Sequence, residues 1–288
     1  MKKVLKWVGV IVGVAVVLLA IAGFVVSSIG KSRARQTFEI SASLLSSVSA
    51  DSASLARGTH LSIIHACQEC HGADLSGKIF VDAPPFRVSA SNLTSGAGGI
   101  GSSYSVEDFD RLIRYGVRPN GQSVIIMPSK TFHNLNDEDT AALIAYLKSV
   151  PPVDNELPPT ELKTLGTILA GAGAVDLAES VHLEAARPGP VPPGETVDYG
   201  KYLTSITCIY CHGADLGGGE ALEPGTPAPP ALTKAASWPL DQFMSTIRTG
   251  VRPDGLPMDP QIMPWTAFRD MTDMELSAIH AYLQTIGG

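Results

Sequence analysis

The sequence contains Cys67-Gln68-Glu69-Cys70-His71 and, far along the chain, Cys208-Ile209-Tyr210-Cys211-His212. Two thiols at this spacing reach the two vinyl groups of a haem, and the His that follows binds the iron from one side, so each motif reads as a c-type haem attachment site. Together the two motifs use all four cysteines. Zinc sites and thioredoxin-like dithiols share the C-x-x-C spacing, and an oxidising compartment permits structural disulfides. Here each pair carries its own His and its own Gly-Ala-Asp-Leu, which marks two separate units. The expectation is two covalently bound haem c groups, with His71 and His212 on the irons.

The opposite side of each iron needs a second ligand if the site is closed. Met127 and Met263 both precede Pro in loops before a final helix, where a thioether can cross the haem, and they are the candidates. Met258 rivals Met263, because the loop from Arg252 to Met263 is longer than its counterpart from Arg118 to Met127. His133 and His280 have no counterparts in the other half, and His60, His65 and His182 read as ordinary polar residues, with His65 near the first haem edge. The ligand His needs its other nitrogen hydrogen-bonded; Pro84-Pro85 and Pro229-Pro230 are candidates to supply the accepting carbonyl, with Pro85 and Pro230 preferred. Arg114 and Arg118, repeated as Arg248 and Arg252, are candidates to neutralise haem propionates, the second of each pair being favoured by its Pro-Gly turn.

Positioning these groups falls to a repeated module. CQECHGADLSG (67–77) matches CIYCHGADLGG (208–218), and IRYGVRPNG (113–121) matches IRTGVRPDG (247–255), with Ile-Met-Pro and Ala-Tyr-Leu following in the same order. Each copy reads as all-helical: a helix into the Cys pair, a Pro- and Gly-rich loop, a middle helix, a Met loop and a closing helix. Phe109, Leu112 and Ile113 share one helix face, as do Leu143, Ile144 and Leu147. Ser105 and Asn136 are predicted N-caps, while Asp241 and Thr272 start helices in the second copy. Strand patterns are nearly absent. The expected organisation is an anchor or signal peptide at 1–30, a Ser/Ala-rich stalk at 31–55, modules at 56–152 and 197–288, and a Pro-rich crossover at 153–196 whose middle packs against a domain.

Val4 to Val26 is an apolar run interrupted only by Lys6. A spanning helix needs roughly 20 apolar residues, which this run supplies, and a cleavable signal core only about 7–15. Length therefore favours an anchor; Ala20-Ile21-Ala22 is the competing cleavage signal. Six of the 21 basic residues lie in the first 35 positions, which hold no acid, leaving 15 basic against 28 acidic residues in the remainder. That balance argues against nucleic-acid binding and suits docking to a basic redox protein.

With these residues in view, the chain resembles the bacterial membrane-associated mono- and dihaem cytochromes c, particularly the cytochrome subunits of alcohol and gluconate dehydrogenases. The likeness covers roughly residues 56–288 and includes Asn92-Leu93-Thr94, Gly99-Ile100-Gly101, Gly116-Val117, Met127-Pro128, Asp137-Glu138-Asp139 and Tyr146-Leu147. It implies a class I cytochrome c fold in each copy, so the expected architecture is all-α, with two tandem class I cytochrome c domains behind the one N-terminal transmembrane helix read from the apolar run. It further implies haem assembly outside the bacterial cytoplasm, so the modules are expected to face the periplasm or exterior from the cytoplasmic membrane. Those dehydrogenase subunits typically carry three haem motifs and a carboxy-terminal attachment, and this chain departs from both.

The leading expectation is a one-electron carrier between a periplasmic dehydrogenase, respiratory complex or soluble cytochrome and an acceptor, with no catalytic residues of its own. A dihaem enzyme of peroxidase or thiosulfate dehydrogenase type, with an open second haem, is the competing reading, and a fixed subunit of a larger respiratory complex is a third.

Overall fold

The computed structural model describes residues 2–184, 187–221 and 225–287; residues 185–186 of the Pro-rich crossover therefore lie outside the described residues. Helix α1 (Lys2–Arg33) is 32 residues long. It is long and apolar enough to cross a membrane, and its apolar stretch is left uncovered by the rest of the chain.

After α1 the chain is extended and runs along the first copy. The Phe38 N–H donates to the Gly121 carbonyl, the Leu45 N–H to Asp110, and Leu45 and Val48 pack on the core. The segment expected as a stalk is thus laid against a module. Helix α2 (Ser52–Ile64) then leads into the short α3 (Cys67–His71). A hairpin of β1 (Lys78–Asp82) and β2 (Phe86–Ala90) follows. Next come the middle helix α4 (Val106–Tyr115), the single turn α5 (Ser129–Phe132) and the closing helix α6 (Asp137–Ser149). The crossover adds β3 (Glu161–Leu162) beside β2 and forms α7 (Thr164–Ala172).

The second copy repeats the order with α8 (Val197–Thr207), α9 (Ile209–His212), α10 (Thr233–Ala236), α11 (Leu240–Thr249), α12 (Trp265–Phe268) and α13 (Asp273–Ile286). The fold is predominantly helical, as the periodicity requires. The three-stranded sheet, with order β1-β2-β3, is an insertion that the sequence reading did not anticipate. Its source is local: β-branched and aromatic residues in KIFVD and FRVSA flank Ala83-Pro84-Pro85, a composition suited to strands about a turn.

Capping residues fix the helix starts. Ser105 accepts from the Asp108 N–H while Asp108 answers to the Ser105 backbone, and Thr272 and Glu275 repeat this reciprocal pattern. Asn136 caps α6. Asp241 does not cap α11; Pro239 precedes the helix and Asp241 lies in its first turn, where its charge suits the positive helix end. In each copy the first helix crosses the closing helix at a glycine: a Cβ on Gly58 would meet the Ala142 carbonyl, and one on Gly200 the Ala278 carbonyl. One continuous apolar core, with Leu61, Ile64, Phe132 and Leu135 beside Tyr199, Tyr202, Leu203 and Ile206, joins the copies.

Candidate haem-binding sites

Both C-x-x-C-H segments are followed by the same backbone. Gly72 and Gly213 have φ of 82° and 81°, and Leu75 and Leu216 have φ of 60° and 58°. The His71 carbonyl accepts from the Gly77 N–H at 2.7 Å, and the His212 carbonyl from Gly218 at 2.9 Å. A left-handed leucine costs about 1–2 kcal/mol. Each is held because its side chain is only 1% exposed and its carbonyl accepts from a second Leu, Leu93 in one copy and Leu232 in the other.

That pairing aims the histidines. Two residues before Leu93, the Ser91 carbonyl accepts from His71 Nδ1 at 2.8 Å; two before Leu232, the Pro230 carbonyl accepts from His212 Nδ1 at 2.7 Å. A carbonyl only accepts, so each Nδ1 carries the proton and each Nε2 keeps its lone pair. Neither Nε2 has a hydrogen-bond partner among the described residues. Burial pushes the pKa of both imidazoles down, against the opposing effect of these carbonyls. The result is a neutral, oriented donor for a metal in each copy.

Pro85 does not play the part expected of it. Its carbonyl accepts from the Lys163 N–H at 3.0 Å, because Pro84-Pro85 is the turn of the inserted hairpin and is drawn away from His71 toward β3. The true equivalent of Pro230 is Ser91. Aligning Leu93-Thr94 on Leu232-Thr233, in place of the two Pro-Pro pairs, would have found it.

The four cysteines are unpaired thiols. Burial pushes Cys67 up to about 12 and Cys208 up to about 11, the reverse of a dithiol primed for exchange. No group of three or more metal-binding His, Cys, Asp or Glu side chains is found among the described residues, which disfavours a shared zinc site. Unpaired thiols beside a fixed, neutral His fit a covalently attached haem.

The Met loops share their exits and differ in their entries. Met127 and Met263 are both half-buried, and each carbonyl accepts from the residue two ahead, Ser129 at 2.8 Å and Trp265 at 2.7 Å. Pro128 (φ −80°, ψ 52°) and Pro264 (φ −75°, ψ 55°) therefore sit in the same tight inverse γ-turn. Ahead of Met127, Ile126 has φ of 73°, an outlier for a β-branched residue. Ahead of Met263 the longer loop forms a turn in which the Met263 N–H donates to the Asp259 carbonyl. Met258 occupies the backbone position of Val124: its N–H donates to Gly250 as that of Val124 does to Gly116. Trp265 Nε1 in turn donates to the Met258 carbonyl.

The arginines divide. Arg114 is fully buried and forks onto Asp110 at 2.5 and 2.7 Å, with Asp137 at 2.7 Å. Arg248 likewise reaches Asp273 at 2.7 Å. Both tie the middle helix to the start of the closing helix, which accounts for their repetition, and full burial removes Arg114 as a propionate partner. Arg118 has no ion-pair partner among the described residues; with Ser91, Asn92 and Ile100 it lines a cavity of about 340 Å³. Arg252 lies 3.3 Å from Asp254.

Of the other histidines, His65 is buried against Phe132, His280 bonds the Trp238 carbonyl at 2.8 Å, and the His133 ring lies tilted against that of His182. His60 is not an ordinary surface residue. It meets Glu275 of the second copy at 2.8 Å, and Tyr202 of the second copy reaches back to Asp139 of the first at 2.7 Å. Arg57 forks onto Asp139 and also contacts Glu275. The glycine crossings make Arg57 and His60 the positional equivalents of Tyr199 and Tyr202, so the contacts are related by an approximate two-fold exchange.

The family model for cytochrome c matches residues 55–151 and again 197–287. The chain belongs to the cytochrome c family. Membership implies covalently bound haem c and electron transfer. Among curated relatives, the fructose dehydrogenase cytochrome subunit of Gluconobacter japonicus is 28% identical over 274 residues, covering 83% of this chain and 54% of that protein. The gluconate 2-dehydrogenase cytochrome c subunit of Pantoea cypripedii is 30% identical over 57% of the chain and 38% of its own length. The cytochrome c subunit of the quinone-dependent alcohol dehydrogenase of Gluconobacter oxydans is 32% identical over 36% of the chain and 23% of its own length. This cytochrome c chain therefore spans about half, or less, of the length of these relatives.

Proposed function

We propose that the protein is a dihaem cytochrome c that relays single electrons from a dehydrogenase or respiratory complex to an acceptor at the outer face of the bacterial cytoplasmic membrane, held there by α1. The observation that carries this reading is the duplicated His clamp, His71 on Ser91 and His212 on Pro230. Two such clamps beside two thiol pairs support two haems in modules bounded at about 56–152 and 197–288. The relatives named as dehydrogenase cytochrome subunits support a dehydrogenase as donor.

In this reading Cys67 and Cys70, and Cys208 and Cys211, would hold the haems through thioether bonds. His71 and His212 would hold the iron through Nε2, and Met127 and Met263 would supply sulfur ligands to it. The bound haem supplies the one-electron chemistry. The chain orients the imidazoles, excludes water with the shared apolar core and places Arg118 beside Ser91 for a propionate, with Arg252 in the corresponding position of the second copy.

The test is optical. Against the oxidised spectrum of the mature protein, Met127→Ala and Met263→Ala should each lose half of the weak far-red absorption that reports sulfur on ferric iron. A second haem that is already high-spin and unchanged by Met263→Ala would overturn the closed carrier in favour of a dihaem enzyme.

A further inference from the structure

Between Lys163 and Asp176 the chain reads TLGTILAGAGAV, with no charge. An apolar run of this length, within the range of about 10–14 residues, is a buried core helix or an interfacial, re-entrant segment. The structure excludes the first. Helix α7 buries only Gly166, Thr167 and Ala170, while Leu165 is 45% exposed and Ala172, Gly173 and Ala174 are exposed beyond it.

The buried face of α7 is taken by the end of α1. Ser27 Oγ lies 2.7 Å from Thr167 Oγ1, and Arg33 Nη1 donates to the Ala170 carbonyl at 2.5 Å. The backbones touch: a Cβ on Gly30 would overlap the Thr167 carbonyl, and one on Gly171 the Val26 carbonyl. Val26 faces Gly171 and Gly30 faces Thr167, so the helices run antiparallel and the far end of α7 lies level with the last residue of the apolar run. The Leu165 end lies beside the basic last turn of α1, so only the exposed Ala172, Gly173 and Ala174 reach the level of the apolar run. Charges flank the segment, Lys163 being held by Asp82 and Asp176 turning back onto the Ala178 N–H.

We propose that the far end of α7 and the turn after it, residues 171–175, dip into bilayer hydrocarbon while docked on α1, so that a helix pair, and not a single tether, fixes how the haem modules stand on the membrane. This rests on the reading of α1 as an anchor.

Single cysteines placed at Ala172, Ala174, Phe24 and Ser46 test it in the full-length, haem-loaded protein, whose own thiols are consumed by haem. In phosphatidylcholine/phosphatidylglycerol vesicles, a water-soluble maleimide should label Ala172→Cys and Ala174→Cys about tenfold more slowly than Ser46→Cys, because hydrocarbon suppresses the reactive thiolate. Phe24→Cys should be equally protected. Adding Gly171→Leu, which drives a side chain into Val26, should restore labelling at Ala172→Cys. Rapid labelling at 172 and 174 with Phe24→Cys protected overturns the re-entrant segment and leaves the anchor standing. Rapid labelling at Phe24→Cys as well overturns both.

Discussion

The Tyr202 hydroxyl donates a 2.7 Å hydrogen bond to Asp139 across the boundary between the two sequence repeats. Burial and then the neighbouring Asp139 carboxylate push the Tyr202 phenol up, so it is the donor at neutral pH. Tyr202→Phe leaves a buried carboxylate with one partner fewer, and the expected cost is about 2 kcal/mol, the range for a hydrogen bond to a charged group. Urea unfolding of Tyr202→Phe, Asp139→Asn and the double variant should give a coupling of that order. Strict additivity would show that the contact does not hold the copies together.

The matching contact on the other side of the junction predicts a pH dependence. Burial alone would raise the Glu275 carboxyl, but hydrogen bonds from His60 and the Thr272 N–H, with the pull of His60 and Arg57, bring it down to about 2 from an ordinary 4.5. A carboxylate lowered on folding contributes stability that is fully present above the unfolded value and lost as pH falls. The loss should therefore run from pH 4.5 to pH 2 and total at most about 3 kcal/mol. Denaturation midpoints across that window should fall less steeply in Glu275→Gln than in the unsubstituted protein.

Arg114 and Arg118 should separate under the same substitution. Arg114→Gln strands Asp110, which is buried with it, and breaking such a pair costs about 3–5 kcal/mol. Arg118→Gln breaks no ion pair among the described residues and should leave the unfolding midpoint nearly unchanged. If Arg118 faces a propionate, its loss lowers the midpoint potential of the first haem, because a cation favours the more negatively charged reduced state. Spectroelectrochemistry of both variants checks this; an unmoved potential in Arg118→Gln would remove Arg118 from the site.

Helical modules, the Cys-His motifs and the membrane-length helix were legible because each is written in local spacing. The carbonyl partner of His71 was not, since the hairpin inserted after Gly77 shifts the Pro-Pro pair out of register and only the Leu93–Leu75 backbone bond restores it. Arg114 misled for a similar reason: repetition marked it as important without saying whether a haem or Asp110 was its partner. The junction was invisible because its symmetry joins unlike residues. Arg57 and His60 stand where the second copy has Tyr199 and Tyr202, so sequence comparison reads them as unrelated. α7 was legible only as apolar residues within a linker, and its partner lies 137 positions away in the Arg33–Ala170 bond.

Leu75 and Ile126 carry the same backbone strain, with φ of 60° and 73°, and glycine should act on them oppositely. Removing a left-handed side chain recovers about 1–2 kcal/mol in either place. At Leu75, 1% exposed in the core, that gain is outweighed by about 2–5 kcal/mol for the packing and cavity terms of losing a buried Leu, so Leu75→Gly should be clearly destabilised. Ile126 is 37% exposed and loses far less packing, so Ile126→Gly should unfold within about 1 kcal/mol of the unsubstituted protein. What Ile126→Gly should lose is the rigidity of the approach to Met127. If Met127 is the sulfur ligand proposed above, the expected signature is unchanged thermal stability with a weakened far-red sulfur–iron absorption and faster cyanide binding at the haem held by Cys67 and Cys70. An undiminished band would show that the γ-turn at Pro128 positions Met127 without help from the strained residue before it.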